Sequence, residues 1–252
     1  MNQALHIEAA GRTDVGLRRN SNEDAFAVRN DLGLFVITDG MGGHAAGEVA
    51  SSLAVEAMTA LLEDPDHTWP GDAHGSPVDP RAYLVASIKH ANNVIRRAAA
   101  ADPNKRGMGT TVVAALTQGS SVWLAHVGDS RIYLFREGHL VQLTQDHTVA
   151  NAWIAEGMEV DLAATLPVGK RLARALGPEP TVDVDVREEE MRPGDVLLLT
   201  SDGVHGLVDE GELATILTEV DSLSEGVERI LSRANAKGGR DNSTAILVRW
   251  GR

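Results

Sequence analysis

Carboxylates recur at the edges of apolar runs in this sequence, and carboxylates are side chains that hold divalent cations in proteins. The run VITDGMGG illustrates the pattern, because Asp39 ends an apolar stretch and glycines fill three of the next four positions. Comparable acidic positions border other apolar runs: Glu23 with Asp24, Asp129, Asp202 and Asp241. An ionised carboxylate that leaves water without a partner costs several kcal/mol, so each position requires a partner or a turn.

Each motif by itself favours a turn, since Asp-Gly between two strands is a common hairpin signal. Five such positions together are better explained if several strand ends converge on hard cations, which take carboxylate, carbonyl and water oxygens. Glycines would then let a backbone carbonyl approach an ion closely. The sequence therefore predicts a divalent-metal site in which a cation neutralises Asp39.

Other catalytic chemistries fit the sequence less well. It contains no GxxxxGK[ST] phosphate loop, no dinucleotide-binding glycine pattern, no GxSxG elbow and no cysteine. The run DVDVREEE resembles a calcium loop, but Arg187 occupies its third ligand position, which favours an amphipathic strand. Four histidines lie near the acidic motifs, and lone histidines of this kind are more often hydrogen-bonding residues than ligands, so their role stays open. They are His44, His126, His147 and His205.

The composition indicates a single globular domain over residues 1–252. Apolar residues make up 43% of the chain, and no apolar run is long enough to span a bilayer. A formal net charge of −13 without a basic stripe argues against binding to nucleic acid. The N-terminal residues lack the apolar core of a signal peptide and the chain has no cysteine, so we expect a cytoplasmic protein. We also expect a monomer that does not bind membranes.

Hydrophobic periodicity predicts an α+β fold with a large antiparallel component. Apolar residues at helical spacing predict two helices, through residues 49–61 and 84–95. Short β-rich runs over residues 110–144 predict an antiparallel meander. Strict alternation predicts a strand over residues 181–187, and DVLLLT and STAILVRW predict two more strands on either side of one or two helices in residues 213–234. The absence of regular βαβ alternation favours α+β.

Two segments interrupt this pattern. Residues 65–80 contain four prolines, which predicts a Pro/Gly-rich surface loop between the two helices. Residues 147–177 fit neither the helical nor the strand period as a whole. They predict a flap inserted into the domain, with HTVANAWIAEGM as a short helix.

As an ordered set, the motifs resemble the metal-dependent protein phosphatases of type 2C in their compact bacterial form. The matching segments are GLRRNSNEDAF, VITDGMGGHAAGEVAS, GMGTT, AHVGDSRIYL, LTQDHT, ARALG, GDVLLLTSDGV and DNSTAILV. They cover nearly the whole chain, and their order and spacing are far more specific than any single Asp-Gly pair. The resemblance implies two antiparallel β-sheets packed as a sandwich, flanked by a helix pair on each side, in one catalytic domain.

The resemblance also implies a metal ligand set. Asp39 is expected to bridge two Mn²⁺ or Mg²⁺ ions. The carbonyl of Gly40 would help to hold one of these ions, whereas Asp202 and Asp241 would hold the other. Asp129, together with Asp202, matches the ligands of a weaker third metal.

The resemblance further implies a reaction. Glu23 and Asp24 would act through metal-bound waters, and Arg19 matches the arginine that grips the substrate phosphate with its planar guanidinium group. Two ions about 4 Å apart lower the pKa of a bridging water, so that hydroxide can attack phosphorus in line without a phosphoenzyme. The expected function is hydrolysis of phosphoserine and phosphothreonine on proteins in signal transduction, and the expected partners are phosphorylated proteins and a cognate serine/threonine kinase.

Two positions depart from the family pattern. Met41 stands where some relatives have a histidine that protonates the leaving group, and Leu166-Pro167 stands where bacterial relatives often have His-Pro. Two alternatives of another class also remain. One is a catalytically weak regulator on the same fold that binds phosphoproteins or a kinase, and the other is a haloacid-dehalogenase-like phosphatase with Asp183 as the nucleophile.

Overall fold

The computed structural model describes residues 6–42, 45–63 and 79–251. Within these ranges the strands are β1 (Ile7–Asp14), β2 (Asp24–Arg29), β3 (Leu34–Met41), β4 (Gly109–Thr110), β5 (Val112–Gln118), β6 (Ser121–Val127), β7 (Arg131–Arg136), β8 (His139–Gln142), β9 (Asp185–Glu190), β10 (Val196–Thr200) and β11 (Ser243–Trp250). The α-helices are α1 (Ala45–Glu63), α2 (Pro80–Ala101), α3 (Val149–Ala155), α4 (Val160–Thr165), α5 (Asp202–His205), α6 (Glu210–Glu219) and α7 (Leu223–Ala236), with 3₁₀ turns at Pro103–Lys105 and Pro167–Lys170.

The strands form two antiparallel sheets. The first has the order β1-β11-β10-β7-β8, and the second has the order β2-β3-β5-β6-β9 with β4 paired on β3. Each sheet combines strands from distant parts of the sequence, so the ends of strands that are far apart in sequence come close in space. The α+β fold class predicted from the sequence is confirmed.

Alternation along the central strands divides their side chains between separate cores. In β3, Leu34 packs with α1 and α2, whereas Phe35 packs against the opposite sheet. In β10, Leu198 packs with α6 and α7, whereas Leu199 faces the opposite sheet. Because both faces of these strands are covered, the layers run helix pair, sheet, sheet, helix pair, as predicted.

The outer helices follow the predicted spacing. Leu84, Ile88 and Ile95 are fully buried along one face of α2. Asp79 caps the N-terminus of this helix by accepting a hydrogen bond from the backbone N–H of Arg81, and Pro80 occupies its first turn. These two residues are the end of the loop predicted for residues 65–80, and the rest of that loop lies outside the described residues.

The meander predicted for residues 110–144 is wrong in its connectivity. β5 and β6 form a hairpin in one sheet, but β7 and β8 belong to the other sheet. The chain crosses between the sheets at Gly128-Asp129-Ser130, where Gly128 has a φ of 108°. The alternation of apolar residues is the same on both sides of this crossing, so local periodicity gives no sign of it.

The strand predicted from residue 181 begins four residues late, at Asp185. The pair His126–Asp185 lies near the end of β6, so the residues before Asp185 have no neighbouring strand to bond. Val182 is nevertheless buried in the core under α1 and α2, as the alternation predicts.

The predicted flap is helical and closes on itself at its base. Its first segment forms α3, capped by Thr148, which confirms the predicted short helix. At the base, the N–H of Val149 donates to the carbonyl of Arg171, and the N–H of Ala173 donates to the carbonyl of His147, both at 2.8 Å. The two ends of the flap therefore bond to each other.

No helix in the described part of the chain combines the length and the apolar character needed to cross a bilayer.

Replacing Phe35 with alanine should destabilise the sandwich strongly. Phe35 is fully buried between the two sheets, so the change leaves a cavity and should lower the free energy of unfolding by about 3–5 kcal/mol. Guanidinium denaturation followed by tryptophan fluorescence measures this difference. The matched control is Val141→Ala, because Val141 is 55% exposed and its truncation should change stability by less than about 0.5 kcal/mol. Equal midpoints for both variants would contradict the assignment of this core.

Candidate metal centre

The acidic residues of the five sequence motifs meet at one end of the sandwich. Asp39 in β3 lies opposite Asp24, the first residue of β2. Asp202 begins α5 directly after β10, and Asp241 precedes β11. Asp129 lies in the crossing between the sheets. Both sheets therefore deliver carboxylates to the same place.

A cavity of about 1100 Å³ contains most of the predicted site. Seven of the eight predicted residues line it: Arg19, Glu23, Asp39, Gly40, Asp129, Asp202 and Asp241. The eighth, Asp24, does not line the cavity and is 8% exposed. The structure thus brings together side chains that are more than 200 residues apart in sequence, as the separation of Arg19 and Asp241 illustrates.

Hydrogen bonds fix the backbone of Asp39. Its N–H donates to the hydroxyl of Thr111 at 3.0 Å. Its carbonyl accepts from the N–H of Thr111 and from the hydroxyl of Thr110, both at 2.9 Å. Since β3, β4 and β5 share these bonds, the Asp39 carboxylate projects from a rigid part of the sheet.

Gly40 permits a close approach between three segments. A Cβ atom at this position would lie 2.2 Å from the carbonyl oxygen of Gly47 in α1 and 2.6 Å from the carbonyl oxygen of Glu23. The N–H of Gly40 also donates to the Glu23 carbonyl at 3.0 Å. A glycine is therefore required here for packing, in addition to the access to its carbonyl that the sequence suggested.

Asp24 has one satisfied and one unsatisfied carboxylate oxygen. Its Oδ2 accepts hydrogen bonds from the hydroxyls of Ser201 at 2.7 Å and Thr244 at 2.6 Å. Its Oδ1 is buried and has no hydrogen-bond partner among the described residues. Burial raises the pKa of Asp24 to about 7, although the two hydroxyls oppose this rise. A buried acceptor of this kind fits a water molecule held by a cation in the cavity.

The neighbouring aspartates raise one another's pKa. Burial, followed by repulsion from Asp24 and Asp202, holds the pKa of Asp39 well above its ordinary value. Burial and repulsion from Asp202 raise the pKa of Asp129 to about 7. Burial and repulsion from Asp241 also raise the pKa of Asp202. Several half-buried carboxylates that repel one another fit a set of oxygen ligands for divalent cations, because a bound cation would remove this repulsion.

Arg19 contacts one of the predicted metal ligands. Its Nη2 donates to Oδ2 of Asp241 at 2.6 Å. The other oxygen of Asp241 accepts from the N–H of Asn242 at 2.9 Å. In this structure Arg19 therefore compensates part of the negative charge at the edge of the acidic cluster.

Asn242 is a structural residue of the site that sequence reasoning missed. Its side-chain oxygen accepts from the N–H of Glu23, and its Nδ2 donates to the carbonyls of Val15 and Ser21, at distances of 2.8–2.9 Å. These bonds hold the loop that carries Arg19 against the start of β11. The only sequence signal was an amide next to Asp241, and its partners are more than 200 residues away.

Similarity to known proteins identifies the family. The profile of the protein phosphatase 2C family matches residues 17–242. Serine/threonine phosphatase stp of Listeria welshimeri is 37% identical to the chain over 254 residues, which cover 96% of this chain and 95% of that protein. The chain belongs to the protein phosphatase 2C family. Serine/threonine protein phosphatase PstP of Mycobacterium tuberculosis is also 37% identical over 97% of this chain, which spans 45% of that relative's length.

Solved structures of the family share the fold of this phosphatase. The crystal structure of Mycobacterium tuberculosis PstP/Ppp matches it with a TM-score of 0.85 and 34% identity, covering 98% of this chain and 99% of that one. The PstP catalytic domain in complex with two manganese ions matches with a TM-score of 0.83 and 34% identity, covering 98% of this chain and all of that one. These similarities confirm the predicted family, the helix-flanked sandwich and the enzyme class, a hydrolase of the serine/threonine protein phosphatase type.

The phosphatase has a second group of potential metal ligands, which lies at the base of the flap. Ligand-type atoms of His126, His147 and Asp185 lie within 4.8 Å of one another. The histidine rings are stacked with an interplanar angle of 21°, so their in-plane lone pairs do not converge on a common point. His147 accepts from the N–H of Gly128 and bonds to Asp185 at 3.2 Å, and Arg174 also bonds to Asp185. These contacts make the group a hydrogen-bonded anchor between the flap and β9.

Neither His205 nor Met41 supplies a proton donor to the cavity. Nε2 of His205 bonds to the backbone carbonyl of Asp129 at 3.1 Å, so its ring supports the crossing between the sheets. Burial lowers the pKa of His205 to about 4, which leaves the ring neutral near pH 7. His44 lies outside the described residues. Met41 lines the cavity and carries no titratable proton.

Replacing Asn242 with alanine should loosen the loop that carries Arg19. The change removes three hydrogen bonds and leaves the N–H of Glu23 without this acceptor, so we expect a loss of about 1–3 kcal/mol in the free energy of unfolding. Thermal denaturation and limited proteolysis measure the effect. Asn20→Ala is the matched control, because Asn20 is exposed on the same loop. Equal stability and equal cleavage of the two variants would contradict the role of Asn242.

The raised carboxylate pKa values predict a pH-dependent stability in the presence of a chelator. Between about pH 4 and about pH 7 the folded protein holds protons on Asp129 that the unfolded chain has released, so stability from this group falls as pH rises through the window. The stability of Asp129→Asn relative to the wild type should therefore increase between about pH 4 and about pH 7, by up to about 1.4 kcal/mol per pH unit, and should level off above that window. Denaturation curves at several pH values test this.

The control for this experiment is Asp221→Asn, since Asp221 is exposed and outside the cavity. It is measured over the same pH range and reports the effect of an Asp-to-Asn change outside the cavity. A difference between wild type and Asp129→Asn that is constant across the pH range would show that Asp129 has an ordinary pKa.

Proposed function

We propose that residues 1–252 form one catalytic domain that hydrolyses phosphoserine and phosphothreonine on proteins with the help of two Mn²⁺ or Mg²⁺ ions. The observation that carries this proposal is the group of half-buried aspartates that line one cavity and raise one another's pKa. The buried, unpartnered Oδ1 of Asp24 supports it further, because it lacks a donor that a hydrated cation would bring. Family membership gives the reaction class.

In this proposal the ligands come from both sheets. Asp39 would hold both ions, and the carbonyl of Gly40 would help to hold one of them. Asp202 and Asp241 would hold the other ion. Asp129 and Asp202 together would hold a third ion more weakly. The complex of the PstP catalytic domain with two manganese ions supports the number of ions at the principal site.

The bound ions supply an activated water at neutral pH and neutralise charge on the phosphoryl oxygens. Glu23 and Asp24 accept hydrogen bonds from waters at the site and so orient them. When substrate binds, Arg19 releases Asp241 and donates to the phosphate of the substrate instead. A guanidinium group can bind either anion with the same planar set of donors. Since Met41 cannot donate a proton, the leaving serine or threonine oxygen receives its proton from water or from the phosphate ester.

The proposed partners are phosphorylated proteins and a cognate serine/threonine kinase. The names of the relatives, which are serine/threonine protein phosphatases, support the first class. Co-purification of a kinase with the tagged phosphatase tests the second, and a preparation without any kinase would count against it. We further propose that the enzyme acts as a cytoplasmic monomer.

Replacing Asp39 with asparagine should abolish metal-dependent hydrolysis. The carboxylate that bridges the proposed ions is lost while the shape of the residue is kept, so we expect kcat/KM to fall at least about 100-fold. Hydrolysis of p-nitrophenyl phosphate and of a phosphothreonine peptide, with Mn²⁺ and with a chelator, measures the effect. Asp221→Asn, at an exposed site outside the cavity, is the control and should keep wild-type activity.

The same assay separates the alternatives. A folded wild type that binds Mn²⁺ but hydrolyses neither substrate would favour a regulator that binds phosphoproteins without turnover. A stable acyl-phosphate on Asp183 would favour the haloacid-dehalogenase mechanism. The Asp183 side chain is exposed, and Asp183 lies ahead of β9 and not at the end of a buried strand, which argues against that mechanism.

A further inference from the structure

The cavity that contains the acidic cluster also has a basic rim. Besides Arg19, four basic residues line it: Arg18, Lys170, Arg171 and Arg174. We use "basic rim" for these four residues. They come from two segments, the loop before β2 and the end of the flap. Such a concentration of positive charge is unexpected on a surface whose protein carries a net charge of −13.

Three of the four basic-rim residues have no ion-pair partner among the residues that the structure describes. Arg174 bonds to Asp185, as Arg19 bonds to Asp241. Arg18, Lys170 and Arg171 are exposed, and no ion pair joins them to any residue that the structure describes. Exposed basic residues without an ion pair among the described residues also occur elsewhere on the surface, for example Arg81, Lys89 and Arg97. The basic rim differs from them because three such residues line one cavity.

The cavity is larger than the group that it is proposed to hydrolyse. Its volume of about 1100 Å³ exceeds what many complete small ligands require, and a phosphorylated side chain occupies only part of it. The rest of the volume is available to residues next to the phosphorylated one. Neighbours that extend toward the flap side of the cavity would meet Lys170, Arg171 and Arg174, which line that side.

Two acidic residues of the lining lie outside the metal centre and limit the positive charge. Glu179 and Asp183 are exposed and follow the flap in sequence. They reduce the net positive charge of the lining, although no ion pair joins them to Arg18, Lys170 or Arg171 among the described residues. With the proposed ligands neutralised by cations, the basic side chains of the lining outnumber its remaining acids.

We propose that the basic rim selects phosphoproteins that carry a second anionic group within a few residues of the phosphorylated serine or threonine. The anion is either an aspartate or glutamate carboxylate or a second phosphate. This inference rests on the proposed function, and it defines the substrate class more narrowly. Arginine and lysine on the rim bind such an anion by charge-assisted hydrogen bonds, while Arg19 binds the phosphate that is hydrolysed.

A series of matched peptides tests the proposal. Each peptide contains one phosphothreonine, and its neighbours are neutral amides, carboxylates, lysines or a non-hydrolysable phosphonate analogue of a second phosphoresidue. We expect kcat/KM with Mn²⁺ to be about five- to tenfold higher for the anionic peptides than for the neutral one, and lowest for the lysine peptide. Added salt should reduce the preference, because these charges are exposed.

The variant that tests the rim is the double substitution Lys170→Glu with Arg171→Glu. Its readout is the ratio of kcat/KM for anionic to neutral peptides within the same enzyme, so a general loss of activity cancels. We expect the ratio to fall to about one or to reverse. The matched control is Lys89→Glu with Arg97→Glu, because these residues are exposed on α2 outside the cavity and should leave the ratio unchanged.

The outcomes distinguish this inference from the proposed function. A preference for both kinds of anion supports a general anion subsite, and a preference for the phosphonate alone supports doubly phosphorylated substrates. Equal kcat/KM for neutral and anionic peptides, or a ratio that survives the rim substitutions, overturns the inference while the phosphatase activity stands. If the wild type hydrolyses neither the peptides nor p-nitrophenyl phosphate, the proposed function fails, and this inference fails with it.

Discussion

Repulsion among buried carboxylates is the constraint on which the rest of this structure depends. Asp24, Asp39, Asp129 and Asp202 all have raised pKa values, mainly because they are buried and in part because they face one another. A cluster of this kind lowers the free energy of unfolding, so interactions elsewhere in the protein must offset its cost. Three cores of apolar side chains, one between the sheets and one under each helix pair, provide the rigidity. Hydrogen bonds to Asp24 and the ion pair between Arg19 and Asp241 compensate part of the charge.

Asp24 connects this electrostatic constraint to the packing of the sandwich. It begins β2 in one sheet, while its hydrogen-bond donors Ser201 and Thr244 belong to the strands β10 and β11 of the other sheet or to their ends. The carboxylate thus bridges the two sheets at the open end of the sandwich. A change in the protonation of Asp24 therefore also changes the strength of the hydrogen bonds that join the two sheets there.

The sequence predicted the carboxylates of the site because each borders an apolar strand, and that pattern is local. It predicted the helices α1 and α2 for the same reason, since their spacing is visible within a few turns. The passage from β6 to β7 was not predictable in this way, because strands that cross to another sheet keep the alternation of strands that do not. Asn242 was missed because its three partners lie at the other end of the chain. Contacts of this range depend on the assembled fold and leave almost no trace in local composition.

The two ends of the flap are hydrogen-bonded to each other, and this pairing allows the length of the flap to change during evolution. Because residues 147–149 pair with residues 171–173, the segment between them forms a closed loop attached to the sandwich at one point. Doubling the length of such a loop costs only about 0.6 kcal/mol in closure entropy. The segment can therefore be lengthened, shortened or replaced as a unit without shifting the register of the strands that carry the aspartates. With the roles proposed for the basic rim and for the aspartates, substrate choice and catalytic power would lie on parts of the chain that mutation can alter separately.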